Sequence, residues 1–323
     1  MIISASRRTD IPSYYSDWLF NRLKEGYVLV RNPMNPRQIS RINLSPEVVD
    51  GIVFWTKNPL PMLNRLSELE RYHYYFQFTL TAYDRDVETN LPSKNKILIP
   101  AFQQLSKRIG REKLVWRYDP IFFNDRYTME YHCNYFKVLA AKLGAYTEKC
   151  TVSFLDFYRK TERNMRPLQL QPVLREQQIA LMQRFSEIAK CYGFYLDTCA
   201  EATELGQLGI GHACCIDRER LERIGTCKLS VGKDKNQRPA CGCVASIDIG
   251  AYNTCGNGCL YCYANDSRHT AMQRMHAHHP FSPLLFGEVE ADDVITERKM
   301  RSYREDQLTL FDAIPRSHLN FIE

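Results

Sequence analysis

Three cysteines near the C-terminal end of the chain constrain its fold and chemistry more than any other feature. Cys255, Cys259 and Cys262 form a C-x3-C-x2-C run within the stretch AYNTCGNGCLYCYAN. Gly256 and Gly258 allow the backbone to turn tightly between the first two thiolates. Three thiolates can bind three irons of a 4Fe–4S cluster and leave the fourth iron without a protein ligand. A metal position left open in this way can bind a substrate.

A zinc site and a set of structural thiols are the alternatives for this run. Zinc ribbons usually pair one C-x2-C with another, and only the second arm of this run has that spacing. We therefore interpret the run as the ligand set of a catalytic 4Fe–4S cluster, with zinc and structural thiols left open as alternatives.

The composition of the chain limits its class and its surroundings. The 323 residues are 44% hydrophobic and 12% aromatic, which suffices for a large core in one barrel-sized domain or in two domains. The N-terminal MIISASRRTD has no signal pattern and no apolar run approaches a membrane span, so we expect a cytoplasmic protein without a membrane partner. In that compartment the twelve cysteines are predicted to be metal ligands and free thiols. A formal charge of +6 is compatible with a nucleic-acid partner.

Short apolar runs alternate with helical patterns along most of the chain. This alternation predicts parallel strands joined by crossover helices. Strands are predicted at 2–6, 51–55, 74–81, 113–117, 150–155, 194–198 and 246–250, the last running into the three cysteines. Helices are predicted at 14–25, 96–109, 128–143, 175–192 and 291–306, with a further helix that ends near residue 70.

The predicted fold class is α/β, a partial (β/α)6 TIM-like barrel with a Cys-rich insert and a C-terminal helical tail. Residues 1–198 would supply the barrel strands and helices. Residues 199–245 form a Cys-rich segment of loops and short helices, and residues 246–265 form the cluster-binding strand and loop that complete the barrel. Residues 266–323 form a linker, a helix and a tail.

Polar and ionisable residues follow nearly every predicted strand. Active sites of α/β barrels lie at the C-terminal ends of the strands, so these residues are predicted to share one catalytic mouth. A helix cap or a surface ion pair is the alternative for any single one of them. Several arginines at one mouth favour an anionic substrate, because a guanidinium binds phosphate and carboxylate with paired donors. The candidates for substrate binding and catalysis are Arg7, Arg8, Asp10, Arg117, Asp119, Tyr158 and Arg159.

The cysteine run, with Tyr261 just before its last cysteine, resembles the signature of radical S-adenosylmethionine (radical SAM) enzymes. FWTKNPL at 54–60, FQFTLTAYD at 76–84 and QLSKRIGREKLVWRYDPI at 104–121 resemble barrel segments of the spore photoproduct lyase group of that superfamily. In that group the cysteine strand comes first, whereas here it comes last. The resemblance therefore implies a circularly permuted barrel with the cysteine strand beside the N-terminal strand. The whole chain also resembles an uncharacterised bacterial family that opens with SASRRTDIP and closes with the cysteine run.

The resemblance to radical SAM enzymes implies two cofactors and some of their ligands. The open iron would bind SAM, and one electron from a donor would cleave SAM to methionine and a 5′-deoxyadenosyl radical. Lys57 is implied to pair with the SAM carboxylate, with Gln77 or Thr79 assisting, although a buried lysine equally fits a structural ion pair. The backbone of Tyr261 is implied to lie against adenine and Tyr263 beside the cluster, and core aromatics are the alternative for both.

The implied function is that of a radical SAM enzyme acting on an anionic substrate, with nucleic-acid repair or modification, such as DNA repair, as the first candidate. A non-catalytic zinc or iron–sulfur nucleic-acid-binding protein and an iron–sulfur redox protein are the alternatives. Near the C-terminus a pentapeptide resembles the motif by which bacterial DNA repair and replication proteins bind the sliding clamp. An apolar tail that folds back on the barrel is the alternative. The pentapeptide consists of Gln307, Leu308, Thr309, Leu310 and Phe311.

A second group of cysteines crowds the Cys-rich segment. Two of them form a C-G-C pair, and one follows the sixth predicted strand. Four thiolates in a loop-rich insert are the ligands of either an auxiliary iron–sulfur cluster or a structural zinc ion, and both metals stay open here. The four predicted ligands are Cys199, Cys215, Cys241 and Cys243.

Overall fold

A computed structural model describes residues 1–156, 158–199, 201, 203 and 205–305, which form eleven strands and nine α-helices. The strands are β1 (Ile2–Ala5), β2 (Tyr27–Arg31), β3 (Gln38–Asn43), β4 (Gly51–Thr56), β5 (Tyr74–Thr79), β6 (Leu114–Ile121), β7 (Lys149–Phe154), β8 (Tyr195–Thr198), β9 (Gly211–His212), β10 (Ile247–Asp248) and β11 (Val294–Glu297). The helices are α1 (Ile11–Tyr14), α2 (Ser16–Glu25), α3 (Leu60–Leu63), α4 (Ile99–Ile109), α5 (Met129–Leu143), α6 (Arg159–Met165), α7 (Arg175–Cys191), α8 (Arg218–Gly225) and α9 (Arg268–His276). None of the described helices combines the length and the apolar character needed to cross a membrane.

The larger of two sheets has eight strands, and all its described pairings are parallel. Its strands lie in the order β10-β1-β4-β5-β6-β7-β8-β9. Runs such as GIVFWT at 51–56 and YYFQFT at 74–79 are buried on both faces, which is typical of parallel strands covered on both sides. The prediction of an α/β protein with parallel strands is confirmed. Within the described residues, no pairing joins β9 to β10 at the two ends of this order.

The cysteine strand pairs with the N-terminal strand, as the sequence predicts. β10 lies on the outer side of β1, with Asp248 opposite Ser4. A strand of two residues forms few ladder hydrogen bonds, and the Asp248 carboxylate adds three more at the end of β1. It accepts from Ser4 Oγ at 2.7 Å, from Ser6 Oγ at 2.6 Å and from the Arg7 amide at 2.8 Å.

Different parts of the chain cover the two faces of the larger sheet. Alternate residues of a strand point to opposite faces. On one face the core is rich in aromatic rings from the sheet and from α5 and α7, with the ring centroids of Phe136 and Phe185 3.8 Å apart. On the other face Val53 and Val115 pack against apolar residues of the Cys-rich segment. The Cys-rich segment therefore lies on the face opposite these helices.

The smaller sheet corrects the predicted C-terminal helix. β11 pairs in parallel with β3, and β3 pairs with β2 in the antiparallel sense. The helix predicted at 291–306, and with it the helical tail, is wrong, because residues 294–297 form a strand. The sequence VITE begins with three β-branched residues, which favour a strand once β3 offers a partner. Residues 306–323, which include the predicted clamp-binding pentapeptide, lie outside the described residues.

A fully buried histidine lies in the core between α5 and the end of β6. His132 Nδ1 is 2.8 Å from the Tyr118 hydroxyl oxygen, and His132 Nε2 is 3.0 Å from the carbonyl oxygen of Phe122. Burial disfavours the charged imidazolium and lowers the pKa of His132 to about 4. In the unfolded chain the same group takes up its proton near pH 6.5, the usual pKa of histidine.

His132 should make the protein less stable in mild acid. Between pH 6.5 and pH 4 the unfolded chain binds a proton that the folded chain does not, so the free energy of unfolding should fall by about 3 kcal/mol on account of this group. Urea unfolding at pH 7 and at pH 4 measures the fall. A His132→Asn variant should start less stable at pH 7 and lose less over the same interval. Equal losses in the variant and the wild type would contradict the assignment.

Candidate functional site

The predicted polar strand ends share one edge of the larger sheet. Because its described pairings are all parallel, the strands end on the same side, and the residues that follow them lie along that side. We call residues 253–265, which follow β10 at this edge, the cysteine loop. Its backbone has positive φ angles at Asn253 (60°) and Gly258 (67°), which turn the chain sharply around the first two cysteines.

Buried amide and hydroxyl groups anchor the cysteine loop to the rest of the fold. Asn90 donates from Nδ2 to the Gly256 carbonyl at 2.7 Å and from its backbone amide to the Asn257 carbonyl at 3.2 Å. Asn257 in turn donates to Asp10 Oδ2 at 3.0 Å and accepts from the Tyr14 hydroxyl at 2.9 Å. These contacts fix the loop between the segment that follows β5 and the segment that follows β1.

An apolar cluster and a backbone bridge support the second half of the cysteine loop. The Leu260 amide donates to the Val87 carbonyl at 3.0 Å, and Cys259 forms an isolated antiparallel bridge with Glu88. Leu260 and Tyr261 pack against a buried cluster that contains stacked aromatic rings from the segments following β5 and β6. The loop is thus held on one side by apolar contacts.

A buried carboxylate with two lysines lies directly beside the loop. Glu88 is 1% exposed, and its Oε1 accepts from Lys57 Nζ at 2.7 Å and from Thr81 Oγ1 at 2.9 Å. Lys94 Nζ pairs with Glu88 Oε2 at 2.7 Å, and the Tyr261 hydroxyl also donates to Glu88. Burial alone would raise the pKa of Glu88, but the positive charges of Lys57 and Lys94 lower it to about 2. The group is therefore an ionised carboxylate between two cations.

The three thiols of the cysteine loop are half-buried and close enough to repel one another when charged. Burial raises the pKa of Cys255, and Asp10, Cys262 and Cys259 raise it further. Burial also raises the pKa of Cys259 to about 12, with Cys262 contributing in the same direction and Lys57 opposing. A metal cation among three such thiols would reverse this repulsion, since a bound metal deprotonates its thiol ligands. Three thiolates are the type of donor that binds the irons of a 4Fe–4S cluster.

Asp10, a predicted substrate-binding residue, supports the site from within the fold. It is buried, caps α1 by accepting from the Ser13 amide at 3.1 Å, and accepts from the Lys57 amide at 2.8 Å. Together with the bond from Asn257, these contacts occupy both carboxylate oxygens. This arrangement favours a positioning role for Asp10 over direct contact with a substrate.

The two arginines that follow β1 differ in their surroundings. Arg8 is half-buried, with its guanidinium 5.0 Å from the ring centroid of Tyr252 and its Nε 4.0 Å from Asp248. Arg7 lies over the Trp55 ring at 5.5 Å, and its Nε and Nη2 atoms are buried without a hydrogen-bond partner. Arg7 is therefore a cation whose donors are still available inside the fold.

The predicted pair at the end of β6 lies on the face covered by the Cys-rich segment. Arg117 Nε donates to Asp119 Oδ2 at 3.1 Å, and Arg117 Nη1 donates to Cys215 Sγ at 2.9 Å. Gln77 donates to the Cys215 carbonyl at 2.9 Å, so it contacts the second cysteine group rather than Lys57. Thr79 is half-buried two residues further along the same strand, β5.

The remaining predicted residues lie at the exposed rim. The Tyr263 hydroxyl donates to the Arg7 carbonyl at 2.8 Å. The Tyr158 ring is 6.2 Å from the Tyr263 ring, and Arg159 is exposed at the start of α6. The structure thus brings the end of β7 next to the cysteine loop.

The four cysteines predicted as a second group come together. Cys199 Sγ is 3.1 Å from Cys215 Sγ, and Cys199 packs against the buried cluster that contains Cys215, Cys241 and Cys243. Arg117 adjoins the same group through Cys215. Within the described residues, no group of three or more His, Cys, Asp or Glu side chains is placed so that it could hold a metal ion without rearrangement.

Sequence reasoning missed several residues that hold the site. Glu88, Asn90 and Lys94 lie in the long connection between β5 and α4, where no strand end or motif marks them. Asn257 lies inside the cysteine run, and its position between two glycines was the only available signal. Polar residues flanked by Gly in a predicted ligand loop are therefore worth treating as candidate anchors.

An alanine at Gly258 should loosen the cysteine loop. Its φ of +67° disfavours a side chain, and an added Cβ would lie 2.9 Å from Asn90 Nδ2. Gly193 is a matched control, with φ of +72° and no heavy atom within 4 Å of an added Cβ. We expect Gly193→Ala to lower the free energy of unfolding by about 1 kcal/mol and Gly258→Ala by about 2 kcal/mol or more, measured by urea unfolding. A smaller loss at Gly258 than at Gly193 would show that Asn90 does not press on the loop.

Comparison with known proteins identifies the family. The family described as Domain of unknown function (DUF1848) matches residues 2–264, which run from β1 to the cysteine loop. No curated protein matches the chain. One solved structure, described as a "putative alpha-L-fucosidase" from Bacteroides thetaiotaomicron VPI-5482, is 10% identical over 72% of this chain and 85% of that chain, and its TM-score of 0.25 is too low to indicate a shared fold. Because the family match covers most of its length, the chain belongs to the DUF1848 family.

Proposed function

We propose that the protein is a radical SAM enzyme in which Cys255, Cys259 and Cys262 hold a 4Fe–4S cluster. The observation that carries the proposal is three neighbouring thiols at the carboxyl edge of a parallel sheet. In the described part of the chain, no fourth cysteine is among the groups that most affect the pKa values of these three thiols. With three protein ligands, such a cluster keeps one iron open for SAM and supplies one-electron cleavage of SAM when bound.

The contacts of the cysteine loop support a curved, partial barrel, circularly permuted as the resemblance implies. In a flat sheet, β10 and β7 would lie about 24 Å apart, since five strand spacings separate them. Yet Tyr263, in the loop after β10, lies 6.2 Å from Tyr158, which follows β7. The loop after β10 also reaches Val87, which follows β5. Curling of the edge strand towards the middle of the sheet would account for these contacts, and that curl is what the proposed barrel supposes.

Lys57 is the residue that we assign to the SAM carboxylate. Its ammonium contacts the Tyr261 hydroxyl at 2.7 Å, and its positive charge opposes the burial that raises the pKa of the Cys259 thiol. Lys57 therefore lies next to the proposed cluster. Lys57 also pairs with Glu88, and Lys94 holds the other oxygen of the same carboxylate. Because of Lys94, a second carboxylate could share Lys57 without leaving Glu88 as an unpaired buried charge.

The proposed substrate is anionic, with nucleic acid as the first candidate. Arg8, which follows β1, lies over the ring of Tyr252, the residue just before the cysteine loop. Arg159, at the start of α6, adjoins Tyr158, whose ring is close to that of Tyr263 in the loop. Guanidinium groups bind phosphates with paired donors, and exposed tyrosines offer surfaces on which bases stack. The proposed reaction also needs an electron donor to reduce the cluster. The clamp-binding pentapeptide at 307–311 would bring the enzyme to DNA.

Anaerobic reconstitution tests the proposed activity. After incubation with iron and sulfide, the wild type should bind about four irons at this site and release 5′-deoxyadenosine when SAM and dithionite are added, as measured by chromatography. Cys259→Ser should release at most about one hundredth as much, because one cluster ligand is lost. Cys191→Ser, which changes an exposed thiol at the end of α7, should match the wild type.

Three outcomes would overturn the radical SAM assignment. Equal release of 5′-deoxyadenosine by the wild type and Cys259→Ser would show that the product does not depend on this cluster. Zinc bound by the cysteine loop in colourless protein would indicate a non-catalytic binding protein. A cluster whose spectrum SAM leaves unchanged would indicate a redox protein.

Removing the Lys57 ammonium should weaken SAM binding without removing the cluster. We expect Lys57→Gln to raise the SAM dissociation constant about tenfold, corresponding to about 1.4 kcal/mol, with iron content unchanged. Lys142→Gln, an exposed change that loses a contact with Asn95, is the control. Calorimetric titration of reconstituted protein with SAM measures the difference. An unchanged dissociation constant would return Lys57 to the role of a structural ion pair with Glu88.

A further inference from the structure

Four cysteines from three parts of the chain meet on the sheet face covered by the Cys-rich segment. Cys199 follows β8, Cys215 follows β9, and Cys241 and Cys243 precede β10. Their thiols contact one another in a row, with 3.1 Å between Cys199 Sγ and Cys215 Sγ. Cys243 lies beside Cys215, since the amide of the next residue, Ile216, donates to Cys243 Sγ, and Cys241 belongs to the same buried cluster. Cys215, Cys241 and Cys243 are buried, and Cys199 is half-buried.

We propose that Cys199, Cys215, Cys241 and Cys243 bind one divalent metal ion in tetrahedral geometry. Four thiolates select Zn²⁺ among the divalent ions that take this geometry. Binding would draw the row of thiols into a closed tetrahedron. The site is separate from the cysteine loop, and the proposal does not depend on the function proposed for that loop.

The spacing of the thiols favours a single ion over a 4Fe–4S cluster. Zn²⁺ binds each thiolate at about 2.3 Å, so a tetrahedron of four places the sulfurs about 3.8 Å apart. The 3.1 Å between Cys199 and Cys215 is close to that size, and Cys241 and Cys243 lie in the same buried cluster. In a 4Fe–4S cluster each thiolate binds a different iron, so its sulfurs must stand further apart.

Two arginines supply the positive charge that an anionic metal–thiolate group requires. Arg117 Nη1 is 2.9 Å from Cys215 Sγ. Arg7 has buried Nε and Nη2 atoms without a hydrogen-bond partner, and it lies over the Trp55 ring, which packs against the cluster that contains Cys215 and Cys243. Thiolates nearby would place negative charge next to these unpaired guanidinium donors. Four thiolates around one divalent ion carry a net charge of −2 and compensate the charge of Arg7.

Backbone contacts of the thiols also fit a metal site. The Ile216 amide donates to Cys243 Sγ at 3.3 Å. Such donors around a ligand sulfur orient it and stabilise its negative charge. Within its described part, the segment from Cys215 to Cys243 has one helix, α8, as its regular structure. One ion would therefore join three pieces of chain and fix Arg117 at the carboxyl edge of the sheet.

Metal analysis of the full chain, expressed with zinc and purified in air, tests the proposal. We expect about one zinc per chain in the wild type and in a variant with Cys255, Cys259 and Cys262 all changed to Ser. Cys215→Ser and Cys243→Ser should each retain less than a tenth of that zinc. Cys227→Ser is the matched control, because this half-buried thiol belongs to the same segment but not to the row, and it should keep its zinc.

Two measurements on the wild type keep the test decisive if these variants do not fold. Replacement of the zinc by Co²⁺ should give the absorption bands of a tetrahedral tetrathiolate site, and titration with a mercurial that blocks thiols should release the zinc. Iron with equimolar sulfide at these cysteines would overturn the single-ion proposal. So would a Cys199–Cys215 disulfide found by peptide mass spectrometry, or the absence of metal from protein that retains its free thiols.

Discussion

The buried carboxylate of Asp10 is the contact on which the arrangement of the site depends. It joins three separate parts of the chain, since it caps α1 and accepts from the Lys57 amide after β4 and from Asn257 in the cysteine loop. Burial raises the pKa of Asp10, and the hydrogen bonds that it accepts oppose that effect. A buried charge is stable only when all its hydrogen-bond donors are present, so Asp10 fixes the positions of these three parts of the chain relative to one another.

The two cysteine groups are related through the same edge of the sheet. Arg7 connects them, because its carbonyl accepts from Tyr263 in the cysteine loop while its guanidinium lies over Trp55, which packs against the cluster that contains Cys215 and Cys243. Lys57 and Glu88 flank the first group, and Arg117 flanks the second. The chain thus places a cation beside each set of thiols and one between them, which is the charge pattern that groups of thiolates require.

The sequence could predict those parts of the fold that have a local cause. Apolar runs of strand length and the alternation with helices predicted the parallel sheet, and the crowding of cysteines predicted the four thiols that meet. The pairing of β11 with β3 could not be predicted, because residues 294–297 become a strand only through a partner more than two hundred and fifty residues away. Glu88 and the contacts of Gln77 likewise depend on three-dimensional proximity that no local pattern encodes.

The pairing of β10 with β1 has a consequence for synthesis on the ribosome. β1 lies more than two hundred and forty residues before β10 in the chain, so it is made long before the strand that covers its outer side. Until then the backbone amides and carbonyls along that side of β1 have no strand partner, as at any open sheet edge. Capture of the cysteine loop is therefore a late step of folding, and any metal that needs all three of its thiols is loaded onto a sheet that is otherwise complete.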